Sequence, residues 1–189
     1  METNLHIIDN FYTNVDQVRA FALDQSFSIK GNYPGMRTNP EKESQSNYLK
    51  KFFEENVVKE KINYWPAEYN TAYQFTTMKD KTWIHHDETT WAAVVYLTPE
   101  APIESGTAIY RHKKSGIYNW SPEDKIDYNK TKEVNDLNNW EQIMFVANIY
   151  NRMVLYRGSL YHRSVLPGFG HDKHTGRLFQ TFFFNTELI

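Results

Sequence analysis

The sequence predicts an α+β domain, mainly β, built on a barrel or jelly roll with packing helices at its N-terminal end. Three observations point there. Apolar residues recur at helical spacing in two segments of the first 71 positions. From residue 72 the period shortens to that of strands, in many short runs at close spacing. Aromatic residues make up 16% of the chain and cluster in those runs, where they suit a pleated, half-buried surface. A length of 189 residues allows one domain with a real core and not two comfortable ones. The expectation is a single domain over residues 1–189, with a helical flank at 1–71 and a β core at 72–189.

The elements follow in order. Residues 5–8 read as an opening strand. Asn14 followed by Gln17 has the form of a capping box, and Val15, Val18, Phe21 and Ala22 then repeat at helical spacing to about residue 25. Residues 31–37 are rich in turn formers; Arg37 on that loop has the reach to meet an anionic ligand, but such an arginine is more often solvated. Over 47–62, Leu49, Phe52, Phe53, Val57 and Ile62 stand among Lys and Glu, the pattern of an amphipathic helix laid on a sheet.

Strands are expected at 72–78, 82–86, 91–97 and 106–112. The Met78-Lys79-Asp80-Lys81 link between the first two suits a tight hairpin. Residues 113–139 break the rhythm: they are polar, Ser121-Pro122-Glu123-Asp124 resembles a helix start, and the segment reads as an insertion with one or two short helices. Strands resume at 143–147, 153–156 and 160–165. A glycine-bearing loop from Pro167 to Gly176 then feeds a last strand at 177–185.

Composition excludes several functions. The formal net charge is -2 with no long run of one sign, so nothing advertises a nucleic-acid or acidic-membrane partner. There is no cysteine, which rules out disulfides, a thiolate zinc site and a cysteine nucleophile; any metal must take nitrogen and oxygen ligands. The start from Met1 to His6 lacks the basic and apolar parts of a signal peptide, and no apolar stretch is long enough to cross a bilayer. A cytoplasmic location without a membrane partner is the default expectation. Asn129-Lys130-Thr131 matches a glycosylation acceptor, a short pattern common by chance.

The stretch that carries chemistry is Trp83-Ile84-His85-His86-Asp87. Strand side chains alternate faces, so His85 and Asp87 point one way and His86 the other. Far downstream, His162 sits in a second strand-like run. Two histidines and one carboxylate with open coordination positions describe the facial triad of non-heme Fe(II) oxygenases. Alone, a His-x-Asp more often forms a surface pair or a satisfied core hydrogen bond. A bulge would exchange His85 for His86. Trp83 and Trp91 are expected to pack in the core, His112, His171 and His174 to be solvated rim residues, and Arg152 and Arg163 to be structural or exposed.

Three patches carry a family resemblance: His85-x-Asp87 with Val95-Tyr96-Leu97-Thr98-Pro99, the run from Asn151-Arg152 into His162-Arg163-Ser164-Val165, and Gly176-Arg177 opening an aromatic strand. Over 73–189 the sequence resembles the Fe(II)- and 2-oxoglutarate-dependent oxygenases, particularly their prolyl-hydroxylase-like branch. The front, with Phe11-Tyr12, Val18-Arg19-Ala20-Phe21 and Tyr33-Pro34-Gly35, is similar to small uncharacterised phage and bacterial members.

The resemblance implies a double-stranded β-helix, with His85, Asp87 and His162 as Fe(II) ligands and Arg177 gripping the distal carboxylate of 2-oxoglutarate. It implies that Tyr96 helps hold that carboxylate, with Tyr73 doing similar work from the strand before. The implied reaction is oxidative decarboxylation of 2-oxoglutarate to succinate and carbon dioxide, ending in hydroxylation of a C–H bond. A guanidinium suits the carboxylate because its fork makes two charge-assisted bonds. This sequence departs from the pattern in its long gap between His162 and Arg177, and in Phe179, which stands where some branches place a serine; Tyr96 or Thr181 would compensate. The rival reading of Arg177 is a salt bridge at a strand start. Rival functions are a non-enzymatic metal-binding jelly roll, a phage structural protein and a cupin-type metal enzyme. The substrate stays open among protein side chains, amino acids and small metabolites, with nucleic acid less favoured, and oligomeric state is not readable.

Overall fold

The computed structural model describes residues 4–165 and 168–187. Its strands are β1 (Leu5–Ile8), β2 (Met36–Arg37), β3 (Ile62–Tyr64), β4 (Tyr73–Thr76), β5 (Trp91–Tyr96), β6 (Thr107–His112), β7 (Trp140–Val146), β8 (Met153–Arg157), β9 (His162–Ser164) and β10 (Arg177–Thr186). Two α-helices, α1 (Val15–Asp24) and α2 (Glu43–Phe52), precede the long β region. The larger sheet runs β1-β8-β5-β10-β4-β2, with β3 also pairing β10; the smaller runs β7-β6-β9. Every pairing is antiparallel.

Period-2 alternation divides the larger sheet into two faces with different partners. Trp91, Ala93 and Val95 of β5, Met153 and Leu155 of β8, and Leu178, Phe182 and Phe184 of β10 form one core with Ala22, Leu49, Phe53 and Val57 from the helical flank. The opposite face presents Ala92 and Tyr96, Val154 and Tyr156, and Phe179 to Ile109 and Val146 of the smaller sheet. The far face of the smaller sheet is covered by the insertion, whose Tyr128 and Val134 pack with Ala108, Tyr110 and Trp140 of the sheet and with Tyr161 and Ile84. The two sheets thus face each other, the helices behind one and the insertion behind the other.

Several expectations need correction. Residues 82–86 form no ladder strand, and β4 pairs β10 and β2, so the 78–81 link is not a hairpin between them. The second helix begins at Glu43 and passes into a π-helical segment, Phe53–Val58. Lys59 in the left-handed region (φ 56°) stops it, and Ile62 opens β3. Asn14 makes no side-chain cap; its amide donates to Gln17 Oε1 at 3.2 Å. The insertion holds three short 3-10 helices, Tyr128–Lys130, Lys132–Asn135 and Leu137–Asn139. No helix starts at Ser121, whose N–H donates to Asp124 Oδ2 in a turn. Met1, and Pro167 of the glycine-bearing loop, lie outside the described residues.

Candidate metal centre

The segment 84–87 is extended without belonging to a sheet, because its backbone groups find partners from four places. His85 exchanges both backbone bonds with His162. His86 N–H donates to Asn129 Oδ1 at 3.1 Å, and the Asn129 amide donates back to His86 C=O at 2.9 Å. Ile84 N–H donates to Val134 C=O, and Asp87 N–H to Gly158 C=O at 2.8 Å. Alternation therefore holds although the ladder is missing. The His86 ring leaves the His85 side, stacks on Trp120 at 4.5 Å and meets Asp127 at 3.0 Å through Nε2.

His85, Asp87 and His162 each bring a ligand atom within 4.8 Å of the others. The Nδ1 of His85 lies 3.1 Å from Trp83 C=O and that of His162 lies 2.8 Å from Leu160 C=O. A carbonyl can only accept, so both Nδ1 atoms donate, and in the neutral tautomer this selects the lone pair sits on Nε2. The His162 lone pair then faces Asp87 Oδ2 at 3.5 Å. That oxygen is buried and has no hydrogen-bond partner. Two acceptors facing each other out of water repel unless a cation or proton stands between them. Burial pushes the Asp87 carboxyl up, against the pull of His85 and Arg37, and drives the His162 imidazole well down, with His85 adding to that push. A neutral imidazole is the ligating form. Two imidazoles and a carboxylate with bonded outer nitrogens fit a divalent first-row ion.

Arg177 opens β10 and is buried. It enters no salt bridge among the described residues, and its Nε has no hydrogen-bond partner. The rival reading, a strand-start ion pair, finds no partner among the described residues. Its Cζ lies 5.3 Å from the Tyr96 and Phe179 ring centroids. Burial pulls its pKa down, opposed by Tyr96 and Tyr156. A buried guanidinium without a carboxylate calls for an anion. The preceding loop is held in place by Asp172, which accepts from the N–H groups of His174 and Thr175, and by Met78, whose N–H donates to Gly170 C=O. Thr98 completes the placement: its hydroxyl donates to Gly176 C=O and accepts from Leu178 N–H, both at 2.8 Å.

His85, Asp87, His162 and Arg177 line one cavity of about 580 Å³. Tyr96 lies just behind Arg177, its hydroxyl 2.8 Å from Thr107 Oγ1, and Thr107 and Thr181 reach the cavity wall. Tyr73 is not brought there. It pairs with Gln180 on the helix-facing side, and its hydroxyl donates to Glu41 Oε1 at 2.6 Å. Its neighbour Gln74 faces the cavity instead. His112, expected at the solvated rim, is buried against Tyr128 and pairs with Glu133 at 2.8 Å. His171 and His174 are exposed as expected, and Arg152 pairs with Asp9. Arg37 and Arg163 line the cavity. Sequence reasoning missed Asn129 and Gly158 as supports of the motif; only the glycine after β8 carried a signal, that of a close backbone approach.

Residues 1–184 match the model of DUF6445, described as a family of unknown function. The chain belongs to this family. No curated protein matches it. Among solved structures, the DUF6445 chain is similar to HygX from Streptomyces hygroscopicus with nickel, 2-oxoglutarate and hygromycin B bound. The identity is 12% and the TM-score 0.57, over 99% of this chain and 84% of that one. It is also similar to SnoK, the non-heme alpha-ketoglutarate-dependent carbocyclase of nogalamycin biosynthesis, at 13% identity and a TM-score of 0.60, over 97% and 80% of the two chains. SnoN, the alpha-ketoglutarate-dependent epimerase of the same biosynthesis, matches at 11% identity and a TM-score of 0.56, over 95% and 78%. What is shared at these identities is the fold, a mainly β, jelly-roll-like arrangement of antiparallel sheets. No helix among the described residues is long and apolar enough to cross a membrane.

Proposed function

We propose that this DUF6445 protein is an Fe(II)- and 2-oxoglutarate-dependent oxygenase, a single double-stranded β-helix domain that hydroxylates a C–H bond of its substrate. The observation that carries the reading is the pair of facing acceptors, His162 Nε2 and Asp87 Oδ2 at 3.5 Å, in the same cavity as Arg177, which has no carboxylate partner among the described residues. The likeness to oxygenase structures holding nickel and 2-oxoglutarate supports it.

His85, Asp87 and His162 would hold the ion, leaving positions open for a bidentate 2-oxoacid and for dioxygen. When bound, iron and 2-oxoglutarate supply the oxidising chemistry, in which 2-oxoglutarate and dioxygen yield succinate, carbon dioxide and a hydroxylated product. The chain contributes placement. Trp83 and Leu160 carbonyls fix the tautomers of the two histidines. Arg177 would bind the distal carboxylate through charge-assisted bonds, in a wall that Phe179 and Tyr156 keep apolar. Tyr96, its hydroxyl held by Thr107, braces that arginine, while the Thr181 hydroxyl is bonded to Ala72 C=O farther along the wall.

The test is anaerobic addition of Fe(II) and then 2-oxoglutarate, followed by air. A weak visible charge-transfer band and then succinate are expected, both lost in His162→Ala. A wild-type protein with neither signal overturns the reading. Metal retention without succinate would favour a non-enzymatic metal-binding jelly roll.

A further inference from the structure

Besides Arg177 the cavity is lined by two guanidiniums that the proposed reaction does not use, Arg37 and Arg163, and the Arg163 Nε already donates to Ser164 C=O at 3.0 Å. Arg37 stands opposite Gln74 in the β2–β4 pairing, Gln74 opposite Phe179, and Phe179 opposite Tyr96. Directly opposed residues share a face, so Arg37 ends the inner row of the larger sheet and lines the same cavity as the metal trio.

The side chain is held by neutral groups. Its Nε donates to Gln74 Oε1 at 2.6 Å, and the Gln74 amide donates to Pro34 C=O at 2.6 Å. Its Cζ lies 3.8 Å from the Tyr33 ring centroid and 5.6 Å from that of Phe183. Arg37 enters no salt bridge among the described residues. With Nε engaged, the Nη1–Nη2 edge is the fork left for a ligand, and a carboxylate matches it.

The charge balance of the wall points the same way. Arg37, Arg163 and Arg177 line it against Asp87 and Glu88. An ion would take the charge of Asp87 and the cosubstrate that of Arg177, leaving the half-buried Arg37 and Arg163 against Glu88 alone, one positive charge in excess. Burial already pulls the Arg37 pKa down, with Asp87 among the groups opposing that pull. Around it stand Tyr33, Tyr69 and Phe183, the last two edge to face at 5.7 Å. A cavity of about 580 Å³ is of the size that takes a small molecule.

We propose that Arg37 recognises a carboxylate on the substrate, so that this site takes small carboxylic acids with an apolar body. The proposal rests on the oxygenase reading and names its substrate class.

The test uses the full chain loaded with Ni²⁺ and 2-oxoglutarate, each binding step followed by calorimetry. N-acetyl-L-phenylalanine and N-acetyl-L-leucine are then titrated beside their primary amides. The acids are expected to bind about tenfold or more tighter than the amides, the scale of a charge-assisted hydrogen bond. In Arg37→Gln that preference disappears, and Arg37→Lys, which keeps the charge without the fork, restores part of it. Equal binding of acids and amides to the wild type, no binding of either, or a preference that survives Arg37→Gln overturns the proposal. The wild-type comparison decides even where the variant folds poorly. A wild type that takes up neither Ni²⁺ nor 2-oxoglutarate instead overturns the oxygenase reading, at an earlier step of the same titration.

Discussion

Asp87 is carried by Gly158. The Asp87 N–H donates to the Gly158 carbonyl at 2.8 Å, and Gly158 N–H donates to Thr90 C=O at 3.0 Å. A Cβ at position 158 would stand 2.1 Å from the Thr89 carbonyl oxygen and 3.3 Å from the Asp87 Cβ. Gly158→Ala therefore cannot be accommodated without moving the 87–90 backbone. A loss of about 1–3 kcal/mol is expected from the overpacking, with a fall of about 10–100-fold in divalent-ion affinity, as for outer-shell changes at metal sites. Urea denaturation and Ni²⁺ calorimetry measure the two. Unchanged affinity would separate Asp87 from the ion.

Ion binding should stabilise the fold, since it removes the repulsion between Asp87 Oδ2 and His162 Nε2. At a free-ion level of about 100 times Kd the gain is about 2.7 kcal/mol. Thermal unfolding with Ni²⁺, and again after a chelator, measures it. His162→Ala should lose the gain entirely. Asn129→Ala keeps all three side chains but removes the two bonds that hold His86 extended, so it should show a reduced gain.

Thr98→Val should act on the cosubstrate and spare the metal. Removing the hydroxyl leaves Gly176 C=O and Leu178 N–H unpaired on either side of Arg177, at a cost of about 1–3 kcal/mol. Weaker 2-oxoglutarate binding with unchanged Ni²⁺ affinity is the expected pattern in calorimetry; equal losses in both would point to general unfolding. Asp172 adds a pH dependence. Bonds from Thr175 and then His174 hold its carboxyl below the ordinary 3.8. Its ordering of the loop is present above pH 3.8 and is lost as pH falls through the lowered value. Asp172→Ala should abolish that acid dependence of loop protection in hydrogen exchange.

Tyr73→Phe should leave 2-oxoglutarate affinity within about twofold of wild type, because this hydroxyl serves Glu41 behind the sheet. Burial raises the Glu41 carboxyl above the ordinary 4.5, with Tyr73 pulling it back. For a raised carboxyl, the favourable contribution is full below pH 4.5 and is lost as pH rises through the folded value. Glu41→Gln should therefore gain stability relative to wild type as pH rises from 4 to 7, read from urea midpoints. A constant difference would contradict the burial of this charge.

Much of this protein was decided by local pattern. The absence of cysteine restricted metal ligands to nitrogen and oxygen, and alternation alone put His85 and Asp87 on one side and His86 on the other. The runs at β5, β6, β8 and β10 were legible because one or both faces are buried, which forces apolar residues into them. The order of His85, Asp87, His162 and Arg177 also stood in the sequence, but their convergence on one cavity did not. Tertiary structure decided which face each strand turned to that cavity. Tyr73 and Gln74 are adjacent and a one-residue slip exchanges them, so only the register of β4 against β10 settles that Gln74 faces inward. Arg37 reads as a loop arginine until two residues of β2 pair with β4 and carry it to the wall. Asn129 and Gly158 support the His85–Asp87 segment from 43 and 71 positions away from His86 and Asp87. Contacts over such separations depend on how the sheets close, and no local periodicity encodes them.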